Sequence, residues 1–500
     1  MMFHKWLIIL TIGLVASISA NSQSVDERIA NAMNASDWFG LDSIYESTPK
    51  DSINPFLEVF SRCLIGNRLN RPDVSIPAFE ELFNNYNESL DLNNYLSSSV
   101  MWAMDLSRVG KNKEAASLMS QVIEQSLQYL DSVAVMTMRS YESKYRELST
   151  YQPYAMSIDG DEGVIPFKLT QVGRTEKPGL AIELERCQVN GHDVKPTFDT
   201  GAGVNIVNDS IARLCGLIYQ ESDVNVMGVG RKSARLAIAK ELVLGNVTLT
   251  DVPFYVVDMS TGNREADNYL SHLELIVGSE LMLAIKDLTV DFIKRSISIP
   301  REAAVRSDKQ SNMCFSSQMN LLVKGGVDGR PLLFNLDTGD ASTGILMPSF
   351  YKRNKDYVLS HSVPDTIRQA GLGGWIKIEG FNLENPLIKL GNSQVRGQSI
   401  FVCGDNSSIP MFADDVDCNL GLQSIILFDR IRFNMVDMTL TAMPVKKSDE
   451  LNLNASKIKY NHKPEYTDWQ AVGMLLFGAA KQLIYPYSVD TLIYNRSSLK

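Results

Sequence analysis

Histidine is scarce in this sequence of 500 residues, which holds five, and basic side chains are outnumbered by acidic ones. The 48 Lys and Arg and 58 Asp and Glu give a formal net charge of −10. A dedicated nucleic-acid binder needs clustered Lys and Arg to neutralise phosphates, so this balance argues against nucleic acid as a partner. Chemistry that depends on histidine also starts with few candidate residues.

Several common catalytic and cofactor motifs are missing as well. No His-Glu-x-x-His and no Gly-x-Ser-x-Gly occurs, and Gly228-Val229-Gly230 lacks the third glycine of a dinucleotide fingerprint. The acidic stretch 414–419 lacks the glycine and the glutamate of an EF-hand loop. The six cysteines include no Cys-x-x-Cys and are too sparse for a disulfide scaffold. We therefore expect neither a metal nor a cofactor.

Long apolar runs are also absent, apart from a short one at the N-terminus. Residues 1–22 have the pattern of a secretory signal, with polar His4 and Lys5, an apolar stretch, and small residues at Ala20 and Ser22. The apolar stretch is shorter than the about 20 residues that span a bilayer. The sequence therefore predicts a signal peptide and an exported, periplasmic or extracellular protein with no transmembrane segment after the signal.

Residues 23–150 are predicted to be α-helical, because Gly and Pro are sparse and apolar residues recur at helical spacing, as at Ala115, Leu118, Met119 and Val122. The stretch that begins at Gly110 resembles a tetratricopeptide-type repeat, without a clean period of about 34 residues. Two interpretations remain: a prodomain or packing module, and a peptide-binding array that offers a docking surface to a protein partner.

From residue 154 onward, short β-branched and apolar segments alternate with Gly, Asn and Asp, which is typical of strands. We place the first β-rich lobe at 154–302, a polar linker at 303–313 and the second lobe at 314–445. Residues 446–500 are predicted to be a C-terminal extension with a short helix from about Trp469.

The two β-rich segments repeat the same landmarks in the same order. The first motif, Asp199-Thr200-Gly201, is matched by Asp337-Thr338-Gly339. A Gly-rich segment, a Leu-Gly-Asn and a segment that ends in Gly follow each motif: Gly228-Val229-Gly230, Leu244-Gly245-Asn246 and 275–278, then Gly371-Leu372-Gly373-Gly374, Leu390-Gly391-Asn392 and 418–421. The repeat predicts two similar lobes around a cleft, each of which contributes one Asp-Thr-Gly.

Two carboxyl groups about 3 Å apart cannot both ionise, so they hold one proton between them. Such a pair can activate a water and protonate a carbonyl without metal, cofactor or histidine. Gly201 and Gly339 allow a tight turn, and Thr200 and Thr338 can bond across the lobes. Gly-rich segments can act as flaps that exclude water. The candidate flap residues are Gly228, Gly230, Gly371, Gly373 and Gly374.

With these motifs the sequence resembles the aspartic proteases, with retropepsin-type motifs duplicated in one chain as in the two-lobed pepsin-like enzymes. The resemblance covers about residues 155–442. It implies a mainly β fold of two lobes around a cleft, here preceded by the helical segment. It also implies an endopeptidase that binds extended polypeptide in the cleft, with Asp199 and Asp337 as the catalytic dyad. The leader and the helical segment are similar to those of aspartyl proteases of bacterial cell envelopes.

Three features depart from the family pattern. Asp340 follows the second motif, where Ala, Ser or Thr is usual; neither flap segment holds a tyrosine, Trp375 being the nearest aromatic; and Asn419-Leu420 replaces the apolar pair Ile276-Val277 of lobe 1. A catalytically inactive, exported peptide-binding protein is therefore the alternative hypothesis. A third hypothesis is a zymogen-like arrangement, in which residues 25–150 cover the cleft.

Overall fold

The structure is a computed structural model, and it describes residues 23–172, 179–227, 231–270, 273–316, 320–371, 374–405, 416–444 and 469–471. The predicted signal peptide, most of the predicted C-terminal extension, and Gly228, Gly230 and Gly373 of the predicted flaps lie outside these residues. Export, which depends on the signal peptide, stays a prediction.

Helices account for most of the chain before residue 150, as the sparse Gly and Pro predict. Their N-termini carry caps: Ser24 Oγ accepts from Glu27 N at 3.2 Å, and Asp91 Oδ1 from Asn94 N at 2.8 Å. The helices are α1 Val25–Asn34, α2 Trp38–Ser47, α3 Pro55–Arg68, α4 Pro72–Asn85, α5 Leu92–Arg108, α6 Asn112–Ser126 and α7 Ser132–Leu148, with 3₁₀ turns at Lys50–Ser52, Asn87–Ser89 and Leu127–Tyr129. No helix in the described part of the chain is long and apolar enough to cross a membrane.

The helical segment packs against both lobes. Phe60 and Leu64 of α3 belong to one buried apolar cluster with Cys314 and Phe401 of lobe 2. At the end of α3, the buried Arg68 donates from Nη1 to the carbonyl oxygen of Ser316 at 2.6 Å. Helix α7 reaches lobe 1, where Lys144 pairs with Glu280 at 3.7 Å. The helical segment therefore shares a core with lobe 2; a protein partner for it stays a prediction.

The rest of the chain forms two sheets with short helices at their ends. The strands are β1 Ala155–Ile158, β2 Glu162–Val172, β3 Gly179–Leu184, β4 Cys187–Val189, β5 His192–Val194, β6 Thr197–Phe198, β7 Ile206–Asn208, β8 Ile218–Met227, β9 Arg231–Leu244, β10 Val247–Val257, β11 Leu275–Val277, β12 Asp287–Asp291, β13 Ser296–Pro300, β14 Met313–Phe315, β15 Leu321–Val327, β16 Arg330–Asp337, β17 Ile345–Leu346, β18 Ser362–Gly371, β19 Gly374–Glu384, β20 Leu387–Leu390, β21 Ser393–Arg396, β22 Ser399–Cys403, β23 Cys418–Gly421, β24 Phe428–Asn434, β25 Thr439–Pro444 and β26 Trp469–Ala471. The short helices are α8 Asp209–Leu214, α9 Arg264–Leu270, α10 Ser279–Ile285, α11 Pro348–Arg353, α12 Lys355–His361 and α13 Leu422–Ile425.

The internal repeat of the sequence appears as a repeat of strand pairing. The strand that leads into each Asp-Thr-Gly, β6 or β16, pairs in parallel with the strand of the later Gly-ended segment, β11 or β23. That strand pairs antiparallel with β7 or β17, which in turn runs parallel to β10 or β22. The predicted fold class, two similar β-rich lobes preceded by helices, is confirmed.

One sheet runs through both lobes. Its order is β25-β24-β12-β13-β2-β3-β6-β11-β7-β10-β9-β4-β5, and the other sheet has the order β21-β20-β15-β16-β23-β17-β22-β19-β18-β26. Strands β12 and β24 pair antiparallel at the junction. Arg430 Nε donates to Asp291 at 2.7 Å and Arg432 Nε to Asp287 at 2.9 Å across it. Backbone hydrogen bonds and side-chain ion pairs between β12 and β24 thus join the two lobes.

The C-terminal extension departs from the predicted helix at Trp469. Residues 469–471 form strand β26, which runs parallel to Arg368–Ala370 of β18. The unpaired N–H and C=O groups of a sheet edge favour addition of an extended segment, and here that pairing replaces the helix over these three residues. The remainder of the predicted helix lies outside the described residues.

Candidate active site

The two Asp-Thr-Gly motifs stand at the ends of equivalent strands. Asp199 directly follows β6, and its N–H donates to the carbonyl oxygen of Val277 at 3.0 Å. Asp337 is the last residue of β16 and lies opposite Gly421 of β23 in the parallel register. The apolar residues Phe198 and Leu336 anchor the two strands in the core. Repeated sequence therefore places both Asp residues at corresponding points of the two lobes.

The threonines of the motifs interlock across the lobe boundary. Thr200 N donates to Thr338 Oγ1 at 3.0 Å, and Thr338 N donates to Thr200 Oγ1 at 3.1 Å. Each hydroxyl also donates to a carbonyl oxygen of the opposite strand, Thr200 to Leu336 at 2.6 Å and Thr338 to Phe198 at 2.8 Å. All four bonds are buried, so they hold the two loops in one fixed arrangement.

We expect Thr200→Val to lower the free energy of unfolding by about 2–5 kcal/mol, because it orphans the Thr338 N–H and the Leu336 carbonyl in a buried site. Urea unfolding measures the loss. Thr200→Ser is the matched control, since it keeps the hydroxyl. Equal losses in both variants would contradict this reading of the hydroxyl bonds.

The carboxyl groups of Asp199 and Asp337 are each held by two backbone donors of their own loop. Asp199 Oδ1 accepts from Gly201 N at 2.9 Å and from Ala202 N at 3.1 Å. Asp337 Oδ1 accepts from Gly339 N at 3.0 Å and from Asp340 N at 2.9 Å. Hydrogen bonds of this kind favour the ionised form of a carboxyl. The matching donors give both lobes the same means of stabilising an ionised Asp.

The carboxyl groups also cross to the opposite loop. A Cβ atom at Gly201 would collide with the Asp337 carboxyl, and one at Gly339 would collide with the Asp199 carboxyl. Glycine is therefore required at both positions by close approach. Asp199 is 1% exposed and Asp337 0% exposed. The structure thus brings together the predicted Asp199, Thr200, Gly201, Asp337, Thr338 and Gly339 at one buried place between the lobes.

Known proteins that resemble this chain include an aspartyl protease family and solved structures. The model of the family described as "gag-polyprotein putative aspartyl protease" matches residues 186–265, which include the first Asp-Thr-Gly. A similar solved structure is a retropepsin-like aspartic protease from Rickettsia conorii, at 16% identity over 30% of this chain and 96% of that one, with a TM-score of 0.18. No curated protein matches the chain.

The resemblance to aspartic proteases is confirmed. The family match ends before residue 337. The second Asp-Thr-Gly is therefore supported by its packing against the first motif and not by the family match. Although several carboxyl groups meet at this aspartic-protease-like site, no group of three or more His, Cys, Asp or Glu among the described residues is arranged to hold a metal ion.

Lobe 2 adds a third carboxyl beside the aspartic-protease motif. Asp340 is fully buried, and its Oδ1 accepts from Ser342 N at 2.9 Å and from Ser342 Oγ at 2.7 Å. Asn419 Nδ2 donates to Asp340 Oδ2 and to Asp337 Oδ2, both at 3.0 Å. Burial, and after it the charge of Asp337, raise the pKa of Asp340 to about 7. The corresponding residue of lobe 1 is Ala202, which cannot ionise.

The sequence predicted Asp340 and Asn419 as departures from the family, but not their contact with the dyad. Asn335 Nδ2 donates to Asn419 Oδ1 at 2.7 Å. The sequence did not predict this contact either. A signal for both asparagines was present: each lies between two buried apolar residues of a strand. A buried polar side chain needs a hydrogen-bond partner, so an Asn within such a strand marks a specific polar contact.

The predicted flaps fall at the ends of two hairpins. Strands β8 and β9 pair up to Met227 and Arg231, and β18 and β19 pair up to Gly371 and Gly374. Gly371 and Gly374 therefore stand opposite each other at the end of the lobe 2 hairpin, and Trp375 beside them is 43% exposed. No described contact joins these glycines to the dyad, and the other three flap residues lie outside the described range.

A buried apolar cluster connects the dyad loops with the lobe 2 hairpin. Ala202 and Ala341, next to the two motifs, share it with Ala370 of β18 and with Leu270 of α9. Helix α9 belongs to lobe 1 and β18 to lobe 2, so this cluster crosses the space between the lobes.

Proposed function

We propose that the protein is an aspartic endopeptidase that hydrolyses peptide bonds with a water activated by Asp199 and Asp337. The observation that carries this proposal is the reciprocal packing of the two carboxyls. Each is held by two N–H groups of its own loop and lies against the glycine of the other loop. Two buried carboxyls so placed share a proton, because like charges in a low dielectric cannot both ionise.

The dyad supplies both proton transfers of amide hydrolysis. The ionised Asp accepts a proton from the attacking water, whose oxygen bonds to the carbonyl carbon, while the protonated Asp gives its proton to the carbonyl oxygen. The tetrahedral intermediate then loses the C–N bond, and the leaving nitrogen receives the proton that came from the water. The hydroxyl proton returns to the dyad, so the enzyme ends in its starting state.

We further propose that the substrate is an extended polypeptide bound between the lobes. The β8–β9 and β18–β19 hairpins carry the predicted flap positions, and hairpins of this kind can close over a bound chain. The apolar cluster of Ala202, Ala341, Ala370 and Leu270 spans the same space. Substrate entry therefore requires the α9 segment and the lobe 2 hairpin to move apart.

Incubation of the purified protein with a denatured protein substrate from pH 3 to pH 8 tests the proposal. We expect cleavage at internal peptide bonds, identified by mass spectrometry of the products, with highest rates in acid where the dyad keeps one proton. Peptide binding without cleavage at any pH would contradict the proposal and favour the catalytically inactive binding protein.

A further inference from the structure

The third carboxyl of lobe 2 occupies a site built to hold it. Asp340 accepts three hydrogen bonds from Ser342 N, Ser342 Oγ and Asn419 Nδ2, at 2.9, 2.7 and 3.0 Å. The Ser342 hydroxyl in turn accepts from Gly344 N at 3.0 Å. A buried polar group with this many partners has a defined position and orientation. Asp340 is therefore a fixed part of the second dyad loop.

Asn419 couples Asp340 to the dyad. Its amide nitrogen donates to Oδ2 of Asp337 and to Oδ2 of Asp340, so one side chain touches both carboxyls. The bond from Asn335 to Asn419 Oδ1 fixes which end of the amide faces them. Ile276 stands at the corresponding position in lobe 1 and has no polar atom to share. The coupling is thus confined to the lobe 2 side of the dyad.

Few other titratable groups face Asp340. Asp337 is the charged group that raises its pKa, and Asp199 lies across the dyad. The Cys418 thiol, on the same strand as Asn419, has its pKa raised by burial and further by Asp417 and Asp340. The side chains that donate to Asp340, Ser342 and Asn419, are neutral. Ionisation of Asp340 therefore puts uncompensated negative charge next to Asp337.

We propose that Asp340 is a positioning residue that sets the upper pH limit of peptide cleavage by delaying the loss of the proton shared by Asp199 and Asp337. This inference rests on the proposed function. Asp340 is neutral in acid and becomes negative as the pH rises through about 7. Its charge then disfavours a second negative charge on the dyad, so the dyad loses its shared proton only at higher pH. Coupling of this kind is mutual: the interaction by which Asp337 disfavours ionisation of Asp340 acts equally in the other direction.

The pH profile of kcat/KM separates this role from a merely structural one. In Asp340→Asn and Asp340→Ala we expect the midpoint of the alkaline limb to fall by about one pH unit. The alanine variant gives lobe 2 the residue that lobe 1 has at Ala202. Glu114→Gln is the control, because Glu114 is an exposed carboxyl of the helical segment, and its limb should not move. An unchanged limb in both Asp340 variants would overturn the proposal.

A second measurement does not depend on turnover. Because the pKa of Asp340 is raised from 3.8 to about 7 in the folded protein, the folded state binds more protons than the unfolded state between those values. The stability that this proton confers is present below about pH 4 and is lost as the pH rises through about 7. The urea midpoint of the unaltered protein should therefore fall, relative to that of Asp340→Asn, across this range.

The two measurements distinguish failure of this inference from failure of the proposed function. A protein that cleaves no peptide but shows the relative fall in urea midpoint loses the peptidase function and keeps the coupled carboxyl. A protein that cleaves peptides with the same alkaline limb in all variants keeps the function and loses the role of Asp340. If the protein cleaves no peptide and the difference in urea midpoint between the unaltered protein and Asp340→Asn does not change with pH, both the peptidase function and the role of Asp340 are refuted.

Discussion

Asparagine in place of Asp199, or in place of Asp337, is expected to lower kcat/KM for peptide cleavage by about 1000-fold or more. The side-chain oxygen of asparagine can still accept from the two N–H groups that hold each carboxyl, so the loop geometry survives. The amide can neither take a proton from water nor share one with the other carboxyl. Because the dyad acts as a unit, the double variant should lose little more than either single variant. Initial rates on a peptide substrate that the unaltered protein cleaves measure the effect.

Two controls make the dyad result specific. Glu114→Gln removes an exposed carboxyl from the helical segment and should leave kcat/KM nearly unchanged. Thermal unfolding of the dyad variants should show little loss of stability, because each substitution keeps the size of the side chain and the two hydrogen bonds that its oxygen accepts. Either single variant that cleaves at the unaltered rate would refute the assignment of Asp199 and Asp337.

The meeting of the two Asp-Thr-Gly motifs was predictable because its signal is local and duplicated. Asp-Thr-Gly specifies a tight loop after a buried strand, and the later Gly-ended segment specifies the strand that pairs beside it. Because both β-rich segments carry these landmarks in the same order, the two lobes are expected to have the same strand pairing. The parallel register of Phe198 with Val277 and of Leu336 with Leu420 follows from that repetition.

Contacts between distant segments were not predictable in the same way. The bonds from Asn335 to Asn419 and from Asn419 to Asp337 join strands that are more than 80 residues apart, with separations of 84 and 82. The pairing of β12 with β24 links the two lobes over a still larger separation, 139 residues between Asp291 and Arg430. Neither residue type nor spacing encodes such partners, because tertiary packing selects them. At Trp469 the edge of β18 likewise decided the outcome against local helix propensity.

The helical spacing of apolar residues in 23–150 did not decide the role of the helical segment. Its amphipathic spacing fits a removable prodomain as well as a permanent part of the core. The buried cluster that joins α3 to Leu322, Ile345, Met347 and Phe401 of lobe 2 favours a permanent part. The buried Arg68, bonded to the Ser316 carbonyl, requires that partner to remain. A helical segment that shares a buried core with lobe 2 differs from a prodomain that only covers the cleft.

A chain that begins at residue 150 is accordingly expected to be insoluble, or to unfold at least about 10 °C below the unaltered protein. Exposing four large apolar side chains costs about 1.5–3 kcal/mol each, and the whole stability of a folded protein is about 5–15 kcal/mol. Differential scanning calorimetry of the soluble fraction measures the change. A chain that begins at residue 23 is the control, since it lacks no described residue and should unfold at the unaltered temperature. A soluble fragment from residue 150 with raised peptidase activity would contradict this view and support the zymogen-like hypothesis, because it would show that the apolar surface of lobe 2 tolerates water once the helices leave.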